Sequence, residues 1–137
     1  MDTLERQVTL PVERQEAWDL LTQPDHLSGW LGADVQLDPA PGEMGRVRDH
    51  DGTLRHLVVE TVDPGRRIAW RWWSAEEPGE VSQVEISLVP AEAGTTVRVV
   101  EELVGATAVA QARTGEAWSH RLLHLEALLL VAAAVRG

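Results

Sequence analysis

Residues 114–135 read TGEAWSHRLLHLEALLLVAAAV, and the apolar pattern of this stretch decides the fold. Its apolar side chains recur at the spacing of one helical face, as Trp118, Leu122, Leu125, Leu129 and Ala132. The pattern predicts an amphipathic helix of about 22 residues and roughly 33 Å, long enough to cross a small domain. Because leucine, valine and alanine fill every position from 128 to 134, that end is expected to be covered on more than one side.

The start of this helix is predicted at Thr114, whose hydroxyl is a suitable N-cap. Glu116 falls in the first turn, where the positive end of the helix dipole favours a carboxylate. Gly115 is expected near the helix end, because glycine is a poor former of helix interiors. Residues 105–113 precede it as a loop or a fraying helical turn.

Upstream of this helix, alternating apolar residues and turn signals predict one strand, two short helices and about six antiparallel strands. The predicted strands are 3–10, 33–37, 44–50, 53–62, 67–74, 81–89 and 95–104, the predicted helices are 12–23 and 24–30, and a polar turn is predicted at 76–80. The order indicates an α+β fold in which helices cover one face of an antiparallel sheet. A sheet curved around one long helix leaves a space suited to a small-molecule pocket.

The composition limits the chemistry. A length of 137 residues predicts one domain spanning 1–137, and the absence of cysteine excludes disulfides and thiolate sites. All 12 basic residues are arginine, so Schiff-base chemistry on lysine is excluded too. A net charge of −10 argues against nucleic acid as a partner. With no signal peptide and no apolar run long enough for a membrane span, a soluble cytoplasmic protein is expected.

Six tryptophans are the only aromatic residues of the chain. Trp70 and Trp72 alternate in phase with Ile68, which predicts that both indoles face the long helix and meet Trp118 there. Trp30 is predicted to point inward from the second short helix. Converging indoles either wall a pocket for a planar apolar ligand or simply fill the space, since the chain has no phenylalanine.

Four histidines are candidate ligands or bases. His120 and His124 have the i, i+4 spacing of a helical zinc pair, but the motif HRLLH lacks the glutamate of HExxH. Both are predicted to face solvent, and neither a metal nor a cofactor is expected. His50 and His56 flank the Asp51-Gly52 turn as exposed strand residues, and His56 can reach a cavity only if its strand face points inward.

Glu101 lies in phase with Val97 and Val99, so its carboxylate is predicted to point toward the core. A buried carboxylate requires a partner. Three interpretations stay open: solvation at a fraying strand end, a structural ion pair with an arginine such as Arg48, or a functional acid at the rim of an apolar pocket.

The segments VERQEAWDLLTQPDHLSGW (12–30), PGEMGRV (41–47), VDPGRRIAWRWW (62–73) and GTTVRVVEEL (94–103), followed by Trp118 near the start of the last helix, form a family pattern. In this order they resemble the helix-grip SRPBCC superfamily, especially its single-domain bacterial START-like members of AHSA type, related to the activator of heat-shock-protein ATPase. The resemblance covers nearly the whole chain. It implies a sheet of six to seven strands wrapped around the C-terminal helix and an apolar cavity between them, but no single activity.

Three functions follow as hypotheses. The first is binding of a small hydrophobic, polyketide-like ligand in a cavity lined by Trp30, Trp70, Trp72, Glu101, Trp118 and Leu122. The second is an enzyme resembling polyketide cyclases or dehydratases, with Glu101 and His56 as acid and base. The third is a protein-interaction domain like the chaperone activator, and a homodimer is left open. An apolar cavity favours the first, a convergent polar cluster the second, and a closed cavity with an exposed apolar patch the third.

Overall fold

A computed structural model describes residues 2–103 and 107–136 of the chain. The elements are β1 (Asp2–Leu10), α1 (Arg14–Thr22), α2 (Pro24–Trp30), β2 (Asp34–Gln36), β3 (Met44–Arg48), β4 (Leu54–Asp63), β5 (Arg67–Ser74), β6 (Glu77–Ala91), β7 (Gly94–Leu103) and α3 (Ala108–Arg136). The order confirms the predicted α+β class, with two short helices after the first strand and a long helix at the end.

The seven strands form one antiparallel sheet in the order β1-β7-β6-β5-β4-β3-β2. Neighbours in sequence are neighbours in the sheet from β2 to β7, because short turns join them, whereas β1 pairs with β7. The register shifts between Val59 and Thr61 in β4 and between Trp72 and Ser74 in β5. Such irregularities bend strands, in keeping with the helix-grip architecture.

The inner face of the sheet carries the alternating apolar residues, and all three helices pack on that side. Trp118 of α3 is 0% exposed, and Ile68, Trp70 and Trp72 of β5 are all buried, as their alternation predicted. The predicted Asp51-Gly52 turn has the expected glycine geometry, with φ of +93° at Gly52, and Gly65 in the turn between β4 and β5 has φ of +79°.

The helix α3 begins before the predicted residue. Thr107 supplies the cap, because its hydroxyl accepts a bond from the Ala110 amide at 3.1 Å. Thr114 lies inside the helix and donates its hydroxyl to the Ala110 carbonyl at 3.0 Å, so its prediction as N-cap is wrong. Gly115 is an interior residue where α3 crosses β1, and a Cβ there would lie 2.5 Å from the Arg6 guanidinium. A larger residue at this position would have to displace the end of the Arg6 side chain, and its Cβ would also lie 3.3 Å from Leu4 Cδ1.

Two further predictions were wrong. The strand β6 begins at Glu77, whereas a polar turn was predicted at 76–80. Both faces of β6 are exposed in that part, so the sequence there lacks the apolar alternation that marks a strand. The segment 128–134 was predicted to be covered on more than one side, and this fails at Leu130, which is 73% exposed, whereas Leu128 and Leu129 are half-buried against the core. The side chains of residues 131–134 lie outside the described part. No described helix is both long enough and apolar enough to span a membrane.

Candidate functional site

Glu101 is the centre of a buried polar arrangement at one end of the interior. It points inward from β7, as predicted, and is only 3% exposed. Its Oε1 accepts a hydrogen bond from Trp118 Nε1 at 2.7 Å, and its Oε2 accepts one from Trp72 Nε1 at 3.0 Å. The predicted interpretations that named solvent or Arg48 as its partner are corrected, because two indole N–H groups hold the carboxylate. Arg48 donates instead to the Gly52 carbonyl, at 3.3 Å.

Arg121 of α3 brings a buried cation to the same place. It is 5% exposed, and its guanidinium carbon lies 4.5 Å from the Trp118 ring centroid and 5.1 Å from that of Trp72. Its Nε donates to the Leu31 carbonyl at 3.0 Å and its Nη2 to Asp49 Oδ1 at 2.8 Å. Burial lowers the pKa of Arg121, and the Asp49 carboxylate opposes that shift. A guanidinium nevertheless keeps its proton in a protein, so the cation is permanent.

Arg55 completes this arrangement from β4. It bonds to Asp49 Oδ2 at 2.9 Å, and its guanidinium lies 4.9 Å from the Trp72 ring centroid. The aromatic–ion cluster is defined here as Asp49, Arg55, Trp72, Glu101, Trp118 and Arg121. It ties α3 to β5, β7 and the turn after β3, and both Glu101 oxygens are occupied. The cluster therefore fastens the helix to the sheet, and each Glu101 oxygen already accepts an indole N–H.

A small cavity lies elsewhere in the interior, between the two short helices and the sheet. Its volume is about 10 Å³, and it is lined by Leu21, Thr22, Leu27, Trp30, Leu31, Leu37, Ile68, Trp70 and Ile86. We call it the apolar cavity. The Trp30 indole donates to the Leu21 carbonyl at 3.2 Å, and the Thr22 hydroxyl to the Trp18 carbonyl at 2.8 Å. By contrast, Trp70 Nε1 is buried and has no hydrogen-bond partner among the described residues.

The structure divides the predicted ligand-binding residues between these two places. Trp30 and Trp70 line the apolar cavity, whereas Trp72, Trp118 and Glu101 belong to the aromatic–ion cluster. Leu122 is 5% exposed and packs in the core without lining the cavity. The Trp72 ring connects the two places, with its centroid 5.7 Å from Trp70 and 5.8 Å from Trp118.

Sequence reasoning missed several residues of both places. The aliphatic side chains of the cavity resemble any other core positions in the sequence, so no local signal marks them. Arg121 had a signal: it follows Trp118 by three positions and therefore lies on the same helical face, where an arginine is unusual. Asp49 had none, because its position next to a turn is typical of exposed aspartate.

His56 lies apart from Glu101. In β4 it alternates with buried Leu57, so it points to the outer face of the sheet, half-buried beside Trp73. The two ring centroids are 6.3 Å apart. The acid and base named for the enzyme hypothesis therefore lie on opposite faces of the sheet, and the structure does not bring them together.

The prediction that both helical histidines face solvent is half wrong. His120 is exposed, but His124 is half-buried, with its ring centroid 4.7 Å from that of His50 in an edge-to-face arrangement. Burial is the first cause that lowers the pKa of His124, followed by the charges of His50 and His120. Nowhere in the described part do three or more metal-binding side chains converge.

Comparison with known proteins identifies the family. The model of the family described as "Activator of Hsp90 ATPase homolog 1-like protein" matches residues 11–130, and the chain belongs to this family. Its membership agrees with the helix-grip fold and with the AHSA-type pattern of the sequence. No curated protein matches the sequence.

Solved structures share the fold at low sequence identity. DynU16, from the dynemicin biosynthetic locus, is 24% identical with a TM-score of 0.87 over 96% of this chain, which spans only 48% of the DynU16 chain. MLL2253 from Mesorhizobium loti is 23% identical, with a TM-score of 0.83 over 93% of this chain and 96% of its own. The Aha1 dimer from Colwellia psychrerythraea is 20% identical, with a TM-score of 0.78 over 92% and 94% of the two chains.

Proposed function

We propose that this protein binds a small, planar, hydrophobic molecule in the apolar cavity. The observation that carries the proposal is the unpartnered N–H of Trp70, buried in a residue that lines this cavity. A buried donor left without an acceptor costs about 1–3 kcal/mol, and native proteins keep few of them. A carbonyl or ether oxygen of a guest would remove this cost.

The apolar lining determines the class of guest. Seven of its nine residues are aliphatic or a threonine and the other two are indoles, so apolar surface dominates the contact and the two indoles supply its flat part. A volume of about 10 Å³ holds about one water molecule, so a larger guest must widen the space. The short helix α2 is the element best suited to move, since it has only 7 residues and its N-cap makes no side-chain hydrogen bond.

The origin of DynU16 in a biosynthetic locus agrees with a guest of polyketide type. An enzymatic role as a cyclase or dehydratase receives less support. The polar cluster that converges in the interior is occupied by its own hydrogen bonds, and His56 lies on the other face of the sheet.

The test uses two matched tricyclic probes, fluorenone with a carbonyl and fluorene without one. Fluorenone is expected to quench tryptophan fluorescence saturably and to bind about tenfold more tightly than fluorene. Trp70→Phe keeps an aromatic ring and removes the N–H, so it should abolish the difference between the probes. Trp73→Phe, on the outer face, is the control and should preserve it. Absence of saturable binding, or an unchanged difference in Trp70→Phe, would refute the proposal.

A second candidate is a protein-interaction role, including self-association. Leu123 and Leu130 are 61% and 73% exposed, and with exposed Ala127 between them they form an apolar stripe along α3. A related structure of this fold is an Aha1 dimer. The molar mass in solution tests this role: the wild type should be dimeric at high micromolar concentration, and the double variant Leu123→Glu, Leu130→Glu should be monomeric. A monomeric wild type at that concentration would eliminate the homodimer.

A further inference from the structure

A row of four polar and aromatic side chains crosses the outer face of the sheet. The strand register pairs Gln36 with Arg46, Arg46 with His56, and His56 with Trp73. Residues directly opposite each other in antiparallel strands point to the same face, with Cβ atoms about 5 Å apart. The outer-face row, defined as these four residues, therefore places an amide, a guanidinium, an imidazole and an indole side by side over about 15 Å.

A surface groove runs along one half of this row. Its volume is about 580 Å³, and it is lined by Gln36, Leu37, Asp38, Met44, Gly45, Arg46 and His56. The Met44 side chain is 68% exposed. The groove therefore combines three side chains with nitrogen donors, Gln36, Arg46 and His56, with an uncovered apolar surface. A ligand that has both an anionic and an apolar part would use both.

Arg46 is a cation with no ionic partner among the described residues of a strongly acidic protein. The chain has a formal charge of −10, yet the Arg46 side chain forms neither an ion pair nor a hydrogen bond within residues 2–103 and 107–136. Arg71 lies on the same face, in β5, and is by contrast bonded to Glu60 of β4 at 3.1 Å. Asp38 is the one carboxylate in the groove lining, and no ion pair joins it to Arg46 in the described structure.

Trp73 gives the row an accessible aromatic ring. It is half-buried, whereas each of the other five tryptophans is at most 8% exposed. Its ring is inclined by 39° to that of His56. The two rings offer a surface on which another ring can pack offset or edge to face.

We propose that the outer-face row and its groove bind a small aromatic carboxylate. Arg46 donates to the carboxylate, His56 lies beside it, and the ring of the ligand packs on Met44 and toward Trp73. The site lies on the opposite side of the sheet from the apolar cavity, so it is independent of the function proposed for the interior.

Calorimetric titration with 2-naphthoate tests this site. Saturable binding of one equivalent is expected, while the neutral isostere naphthalenemethanol and inorganic phosphate each bind much more weakly, because each lacks one of the two recognised parts. Arg46→Gln should weaken naphthoate binding about tenfold, as expected for a lost charge-assisted hydrogen bond. Met44→Ala should weaken it by a smaller factor.

Arg71→Gln is the matched control, because it removes a cation from the same face that is already paired. It should leave naphthoate affinity unchanged, and all these positions are at the surface, so circular dichroism should show native folding. Equal losses in Arg71→Gln and Arg46→Gln would reduce the effect to general charge and overturn the proposal. The proposal would also be overturned if naphthalenemethanol or phosphate bound as tightly as naphthoate, or if naphthoate showed no saturable binding.

Discussion

Trp70 and Trp72 lie two residues apart on one face of β5, and both are buried, yet their indole N–H groups have opposite surroundings. The Trp72 N–H donates to Glu101, within a network in which each charged group has a partner. The Trp70 N–H has no acceptor among the residues that the structure describes. Buried polar groups stabilise a fold when all are paired and weaken it when one is left over.

This difference separates the place of the proposed ligand binding from the place where α3 is fastened to the sheet. The aromatic–ion cluster joins α3 to the sheet and has no unused hydrogen-bonding group at Glu101. The apolar cavity is lined almost wholly by apolar side chains, and the Trp70 N–H has no acceptor among the described residues. The proposed ligand binding therefore belongs to the apolar end, and the fastening of α3 to the end where the polar groups are paired.

The largest effect is expected from Trp118→Ala in the aromatic–ion cluster. The variant should lose about 3–5 kcal/mol of unfolding free energy, because a fully buried ring is replaced by a void and Glu101 loses its shorter hydrogen bond. Urea unfolding followed by far-ultraviolet circular dichroism measures this loss. Trp118→Phe, which retains most of the ring, should lose less, and wild-type stability in Trp118→Ala would remove the cluster from the centre of the fold.

A matched pair of substitutions tests the comparison directly. Trp72→Phe removes a donor from the Glu101 carboxylate and should cost about 1.5–3 kcal/mol, the range for a hydrogen bond to a charged group. Trp70→Phe makes the same change in ring size but breaks no hydrogen bond among the described residues, so it should cost only the lost ring volume and clearly less than Trp72→Phe. The two variants differ only in position, so equal unfolding midpoints in urea would contradict the contrast between the two ends.

The smallest effect is expected at His124, where α3 meets the turn after β3. Burial there lowers its pKa below the ordinary value of 6.5, so the unfolded chain takes up this proton first as the pH falls. The contribution of His124 to stability is therefore present above pH 6.5 and is lost as the pH decreases through the lowered folded pKa.

Urea midpoints at about pH 8 and about pH 5 measure this dependence. His124→Gln should show a smaller decrease toward low pH than the wild type. His56→Gln, on the outer face, serves as the control and should retain the wild-type decrease. A decrease in His124→Gln as large as that of the wild type would assign the pH dependence to other groups.

Local periodicity predicted most of the elements and the faces that they bury. Alternation in RIAWRWWS placed Trp70 and Trp72 inward and Trp73 outward, and the helical period of α3 placed Trp118 and Leu125 in the core. These assignments depend on local periodicity, which the backbone geometry of each element imposes. The start of α3 could not be located in the same way, because a cap depends on which backbone group the hydroxyl meets: Thr114 donates to the Ala110 carbonyl, whereas Thr107 accepts from the Ala110 amide.

Which polar groups meet depends on how the elements are placed in the folded chain. Glu101 bonds to Trp118 across 17 residues and to Trp72 across 29, and Arg121 reaches Asp49 across 72 and Leu31 across 90. The sequence predicted that Glu101 needs a partner, but the choice depended on where β5, β7 and α3 cross. Periodicity is a property of a short segment, whereas a hydrogen bond between distant side chains depends on the relative placement of whole elements. For that reason the unpaired N–H of Trp70, two residues from a paired one, could be recognised only in the folded chain.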